Sequence, residues 1–397
     1  MPDPSGQGSE GDAFRIEVRQ WLEANCPPSM RTPITNPDEM VWSGSRVSFR
    51  TADQRLWFER MRDRGWFAPG WPADFGGGGL GPREQILLAE ELHALGCRTP
   101  QYNLGIWMLG PVLLEFGTEA QKRAHLIPMA RGERRWCQGF SEPNAGSDLA
   151  SLRTAAVLDG DDFIVTGQKI WTSDGDLADW MYALVRTDPQ ARKQDGISFI
   201  LLDMKSPGVT VRPLELISGK SGFCEVYFDA VRVPAGNVVG GVNQGWRVAK
   251  RLLEHERAAM STFSEGGAPS LDVMTVAAPH LAAAGPVWRD RMAAALMDQH
   301  AFSLSVRRMH EMALAGEDVH GLGSIMKLVQ SEQESSKYEL LQQLLGHRGL
   351  SLDGDGFSAH EHAVCRLWLY TKSYTIAGGA SEIQLNIIAR RVLGLPS

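Results

Sequence analysis

The stretch RTAAVLDGDDFIVTGQKIWTS, residues 153–173, decides the fold. Its two halves, RTAAVLD and DFIVTGQKIWTS, are rich in β-branched and aromatic residues and flank the turn Asp159-Gly160-Asp161, the pattern of a β-hairpin. Downstream, WMYALVRT, ISFILLDM, VTVRPL and FCEVYFDAVRVP repeat the theme as short runs between turn residues. Upstream the period changes. AFRIEVRQWLEAN, TADQRLWFERMRDRG, PREQILLAEELHALG and GTEAQKRAHLIPMARG each carry an apolar helical face and end near Gly, Pro or Asn. Beyond about residue 243 the helical period returns over 243–263, 287–315, 322–346 and 380–393. Helix, strand, helix implies an α+β protein: an N-terminal helical domain over 1–133, a middle β domain over 134–242 and a helical bundle over 243–397.

Composition limits the function classes. The chain has 397 residues, 43% hydrophobic and 22% charged, as in a soluble protein of more than one domain. A net charge of −7 offers no electrostatic footprint for nucleic acid. No run of apolar residues is long enough to span a membrane, and MPDPSGQGSEGD has neither a signal core nor a transit pattern. The five cysteines are scattered, without a CxxC pair, which favours a reducing cytoplasm.

Several familiar motifs fail. GFSEP has Pro143 where a nucleophile elbow needs Gly, and GKS at 219–221 has Leu214 where a phosphate loop needs Gly. FGGGGLG (75–81) follows no strand, so a dinucleotide fold is rejected. HEH (360–362) reads as exposed loop residues in the absence of a third metal ligand.

The segment RLLEHERAAM (251–260) poses a different question. Trp246, Ala249, Leu253, Met260 and Phe263 fall on one helical stripe, and the position missing from it is Glu256. A carboxylate on an apolar stripe costs several kcal/mol by rough estimate unless it is paired or used. Glu254, four residues after Lys250, reads instead as a solvated partner. Two further segments invite a polar ligand. WCQGFSEPNAGSDLASL (136–152) sets short hydroxyls and small residues around Gly139 and Gly146 after a strand, although a hydrogen-bonded turn is the simpler use. GQKIWTSDGDLADW (167–180) places Trp171 beside hydroxyls, where an indole either flanks a planar group or fills a core.

Together with TIAGGASEIQLNIIARRVLGLPS (375–397), these segments resemble the acyl-CoA dehydrogenase family across nearly the whole chain. SEPNAGSD stands for its (S/T)EPxAGSD segment, GQKIWTSDG for GxKxWITNG and GGASEIQ for GGTSEIQ. The resemblance implies a middle β-barrel-like domain, a C-terminal four-helix bundle and FAD at their junction. By position, Gln138, Phe140, Ser141 and Ser147 would line the isoalloxazine and ribityl region, with Ser147 also near the thioester arm of the substrate. Trp171, Thr172 and Ser173 would pack on the ring, and Gly379, Ala380 and Glu382 match further FAD contacts. Gln343 and Gly346 match the segment by which a neighbouring subunit holds the pyrophosphate, which implies at least a dimer.

The family's chemistry gives the stray carboxylate a use. Its members desaturate an acyl-CoA between Cα and Cβ to the trans-2-enoyl-CoA, with a carboxylate taking the α-proton. Many carry that base at the position of Gly378, which cannot take a proton. A second branch carries it on an earlier helix, immediately before an arginine, as in HER, where Glu256 precedes Arg257. The resemblance thus implies Glu256 as base, Arg257 beside the substrate and an electron-transfer flavoprotein as acceptor. The sequence departs from the family at Ala380, at His347 and in lacking RxxFG, whose arginine Arg289 or Arg291 would replace. Two other readings share the scaffold: a cofactor-poor subunit of a paired heterotetramer, and an oxygen-using oxidase or monooxygenase.

Overall fold

The computed structural model describes the backbone of residues 4–32, 34, 39–219, 222–266, 271–314, 317, 319 and 321–396; side chains of 4–10, 257–266, 310 and 313–314 lie outside the described residues. The chain divides into two compact units. The first comprises Met1–Arg212, Phe223–His255 and Glu265–Pro269, the second Pro213–Gly222, Glu256–Ser264 and Ser270–Ser397.

The first unit begins with α1 (Pro4–Asn25), α2 (Ala52–Asp63), α3 (Pro82–Ala94), α4 (Gly110–Phe116) and α5 (Glu119–Ala130). Their starts obey local rules. Thr51 caps α2 by accepting from the Gln54 N–H, and Thr118 and Gln121 form a reciprocal capping box on α5. The Gln121 amide also donates to the carbonyls of Gly236 and Val238 at 2.8 and 2.9 Å, so one cap residue ties the helical layer to the sheet.

The sheet contains β1 (Trp136–Gly139), β2 (Ala155–Asp159), β3 (Asp162–Ser173), β4 (Trp180–Arg186), β5 (Ile197–Asp203), β6 (Val209–Leu214), β7 (Phe223–Pro234) and β8 (Val238–Val239). Its order is β6-β7-β3-β2-β4-β5-β8, with β1 added parallel to β4. The hairpin pairs Asp159 with Asp162, and Gly160 takes the left-handed φ of 64° that the turn requires. On β4, Met181, Ala183 and Val185 enter one core cluster while Tyr182 and Leu184 enter another with the helices. β5 divides in the same way, Ile200 and Leu202 against Phe199 and Leu201. Both strands therefore read as unbroken apolar runs although their side chains alternate.

Helix α6 (Gly245–Gly266) begins in the first unit. The second unit holds α7 (Val273–Leu281), α8 (Pro286–Leu314), α9 (Leu322–Leu345), α10 (Ala359–Tyr370) and α11 (Ser381–Ile387). The long α9 is its axis, packing against α7, α8, α10 and α11 around Tyr338, Leu341, Leu345 and Val364. HEH opens α10 rather than lying in a loop. Ser358 caps that helix with Glu361, whose carboxylate also takes Arg348 Nη2 at 2.9 Å. Lys220 and Ser221 of GKS lie outside the described residues. Among the described residues, no helix is long and apolar enough to cross a membrane.

Candidate functional site

In the first unit, SEPNAGSD leaves β1 as a tight turn. Glu142 and Ala145 exchange backbone hydrogen bonds of 3.1 and 3.0 Å around Pro143-Asn144. The turn is braced from beneath by Lys169, which is fully buried and donates to the Phe140 carbonyl at 3.1 Å and to Glu142 Oε1 at 2.8 Å. Glu142 in turn accepts from the N–H groups of Arg153 (2.6 Å) and Thr154 (2.8 Å). Burial pushes the Lys169 ammonium down to about 8 against the upward pull of Glu142. Burial pushes the Glu142 carboxyl up, but Lys169 and the bonds from 153 and 154 hold it below its ordinary value. The Ile170 N–H donates to the Ser141 carbonyl at 3.0 Å. The two segments read separately from sequence are thus one construction.

Above this brace lies an open face. Ser147 is exposed, and a Cβ added at Gly146 would meet nothing within 4 Å. Trp171 is 55% exposed, edge-on to Phe223, and has a left-handed φ of 60° where β3 slips register against β7. A bulky residue in that region costs on the order of 1–2 kcal/mol and marks a position the surroundings impose. An indole displayed at such a cost suits a flat ligand. Gln138, Ser141 and Ser173 are half-buried. Two expected ring contacts turn inward. Phe140 packs edge-on against Tyr182 and Phe199 in the core, and Thr172 is sealed from solvent.

In the second unit, the GGASEIQ segment turns on two left-handed glycines, Gly378 (φ 65°) and Gly379 (φ 96°), before α11. The Gln384 amide donates to both their carbonyls at 3.2 and 3.3 Å, and a Cβ at 379 would lie 2.4 Å from its nitrogen. Position 378 therefore favours glycine for its backbone as well as lacking a carboxylate. Among the described residues, Ser381 Oγ and Gln384 Oε1 are buried polar atoms with no hydrogen-bond partner. Leaving each unpaired costs about 1–3 kcal/mol, so the segment offers places for further polar partners. Ala380 is half-buried and Glu382 exposed.

The same turn is held by a lysine absent from the sequence reading. Lys327 of α9 is 2% exposed and donates to the carbonyls of Gly379 (2.7 Å) and Tyr374 (3.1 Å). Burial lowers its pKa, and Glu256 is the first of two carboxylates that pull it back up, Glu332 being the other. The ammonium is thus bonded to the Gly378-Gly379 turn. One oxygen of Glu256, Oε2, is closed to solvent. The legible signal for Lys327 is the one that exposed Glu256: a charge inside an apolar run, SIMKLV (324–329).

Two details of α6 differ from expectation. Its buried face is Val248, Ala249 and Leu252, with Trp246 and Leu253 at the margin, and Glu256 continues it four residues after Leu252. Glu254 pairs with Arg251 at 3.0 Å, not with Lys250. The side chains of Arg257, Met260 and Phe263 lie outside the described residues. On α9, Gln343 is exposed and accepts from Arg291 Nη2 at 2.9 Å, while Gly346 ends the helix with φ 59°. Of the two arginines considered, Arg291 is the one bonded to a candidate cofactor residue.

Comparison with known proteins agrees with this architecture. Residues 9–133, 137–231 and 243–393 match the models of the acyl-CoA dehydrogenase N-terminal, middle and C-terminal domains. The chain belongs to the acyl-CoA dehydrogenase family, whose members are flavoprotein oxidoreductases. Acyl-CoA dehydrogenase IpdE1 of Mycobacterium tuberculosis is 34% identical over 391 residues, 97% of this chain and 98% of that protein. Acyl-CoA dehydrogenase FadE34 of the same organism is 40% identical over 336 residues, 85% of this chain but 45% of FadE34, so the chain spans under half of that relative's length. Among solved structures, the Tcur3481-Tcur3483 steroid ACAD has 26% identity and a TM-score of 0.75, covering 99% of this chain and 98% of that one. The ChsE4-ChsE5 complex from Mycobacterium tuberculosis has 27% identity and a TM-score of 0.72, covering 98% of both chains.

Proposed function

We propose that this chain is an FAD-dependent acyl-CoA dehydrogenase that uses Glu256 to remove the α-proton of an acyl-CoA and yields the trans-2-enoyl-CoA. The observation that carries the reading is Glu256 continuing the buried face of α6 with one carboxylate oxygen closed to solvent, while position 378 is a glycine. FAD held by these residues would supply a two-electron acceptor for the hydrogen that leaves Cβ. The residues' fit to FAD rests on the displayed, strained Trp171 and on the orphaned oxygens of Ser381 and Gln384. In the first unit, Trp171 and Ser173 would flank the ring, and Ser141 and Ser147 would bond its polar edge and the thioester arm; in the second, Ser381 and Gln384 are separate candidate polar contacts. Gln343 with Arg291 would serve a neighbouring subunit's cofactor. Glu256, with one oxygen shielded from water, holds the proton it takes at a carboxylate oxygen, where desolvation favours transfer.

The substrate class we propose is an acyl-CoA with a bulky, steroid-type acyl group. Gly378 leaves open the space that a glutamate occupies elsewhere in the family, and a structural relative is titled a steroid ACAD. An electron-transfer flavoprotein is the proposed acceptor. The flavin-loaded Glu256→Gln protein should bind acyl-CoA yet lose bleaching of the flavin absorbance by at least ~10²-fold, the scale of general-base catalysis. Undiminished bleaching would sink the assignment.

A further inference from the structure

Two residues other than glycine take a left-handed φ at the end of β3: Trp171 (60°) and Asp174 (50°). Between them lie Thr172, sealed in the core, and Ser173, the last residue of the strand. Asp tolerates this region better than Trp, yet both pay for it, so contacts outside the segment must hold it. Arg135, just before β1, supplies that hold at the Asp174 end. Its buried guanidinium meets Asp174 Oδ2 through Nη2 at 2.8 Å, and its Cζ lies 4.2 Å from the centre of the Trp42 ring. A guanidinium can stack on an indole while its edge meets a carboxylate, which an ammonium cannot reproduce. The backbone of Arg135 grips the far end of the same loop. Its N–H donates to Asp179 Oδ2 at 2.9 Å, and its carbonyl accepts from the N–H groups of Asp179 (2.9 Å) and Trp180 (3.1 Å). Within the loop, the N–H groups of Leu177 and Ala178 return to the Asp174 carbonyl at 3.0 and 3.1 Å. One residue thus ties down both ends of 174–179, and Asp174 cannot swing without opening that loop.

We propose that Arg135 is a positioning residue for the cofactor face: its ion pair with Asp174 sets the left-handed turn that displays Trp171 and Ser173. This rests on the reading of that face as the site of the FAD ring. Arg135 is buried and acts through Asp174. With Thr172 pinned in the core on one side of Ser173 and Asp174 pinned by Arg135 on the other, the strained indole is held out toward the ligand before the ligand arrives.

The test is a double-mutant cycle on FAD affinity in the full chain, with the fluorescence of the bound flavin as a second readout, since an indole against isoalloxazine quenches its emission. Arg135→Gln should weaken FAD by about three- to tenfold, the scale of one aromatic contact, and raise the emission of the bound flavin. Trp171→Ala should do both at least as strongly. In the Trp171→Ala background Arg135→Gln should add little, because the contact it positions is already gone. Arg135→Lys keeps a charge for Asp174 but not the stack on Trp42, and should fall between wild type and Arg135→Gln. Losses that simply add in the double variant, or bound-flavin emission unchanged in Arg135→Gln, overturn the proposal and leave Arg135 a structural brace. If Arg135→Gln does not fold, Asp174→Asn removes the charge from the more exposed end of the pair and keeps a residue that tolerates the left-handed φ. Unchanged affinity and emission in that variant would likewise overturn it. Failure of the flavin reading is separately visible, because Trp171→Ala alone would then leave both affinity and emission unchanged.

Discussion

Lys169 and Lys327 are both buried lysines in the motif-bearing parts of this chain; Lys169 is paired with Glu142, and Lys327 donates to the carbonyls of Gly379 and Tyr374. Lys169 forms a direct pair with Glu142, so removing it strands a carboxylate with 9% side-chain exposure. Lys169→Met should destabilise the protein by about 3–5 kcal/mol, the usual penalty for breaking a buried pair, and should reduce flavin content as the SEPNAGSD turn loosens. Adding Glu142→Gln should recover a large part of the stability, because no charge is then left unpaired. Urea unfolding of the single and double variants measures both, and additive losses would show that the pair is not coupled. At this scale the sequence was half legible. Glu256 and Trp171 stand out because each breaks a local pattern. The inward turn of Thr172 was not readable, because the left-handed Trp171 shifts the register of β3 and alternation cannot reveal a bulge in advance.

Helix α5 shows what an element owes to its surroundings. His125 is packed edge-on between Trp136 (5.3 Å) and Trp180 (4.9 Å), with Arg134 Nη1 at 2.9 Å from its Nδ1. Burial, and secondarily Arg134, push its pKa down from 6.5 to about 4. A histidine that stays neutral when folded but takes a proton when unfolded favours the unfolded chain as pH falls. The loss begins near pH 6.5, deepens toward pH 4 and then levels off, and on the order of 1.4 kcal/mol per tenfold change in proton affinity makes it at most a few kcal/mol. His125→Phe should therefore lose less stability than wild type between pH 7 and pH 5. Equal losses in urea unfolding at the two pH values would assign the acid sensitivity elsewhere. The elements themselves were mostly legible: the hairpin, the four following strands and the long helices stand where period and turn residues put them. The helices left out, α4, α7 and α10, are short. α7 carries Pro279 inside it, while α10 was announced by its capping box, Ser358 and Glu361, which metal-ligand spacing in HEH obscured.

For the molecule as a whole, the surface of α8 bears on assembly. Met297 (70% exposed) and Leu304 (51%) lie seven residues apart on one face of that helix, and Val287 nearer its start is 68% exposed. Large apolar side chains repeated along one face of a helix are the kind of surface a partner chain can cover. Gln343 and Arg291 stand exposed in the same unit, bonded to each other, while Ser381 and Gln384 keep buried oxygens unsatisfied. A second chain offering the same surfaces is the economical complement, since symmetric pairing satisfies both copies by one contact. Two structural relatives carry titles that join two components, which makes a homologous partner chain the competing arrangement. The visible spectrum of the protein purified alone separates them. Self-association should give flavin bands near one FAD per chain on an oligomer, and Met297→Asp with Leu304→Asp should yield smaller particles with less flavin. Protein that stays colourless with added FAD, yet turns yellow when a second acyl-CoA dehydrogenase-like chain is co-expressed, would mean that His347 and Ala380 have reshaped the cofactor contacts to require that partner.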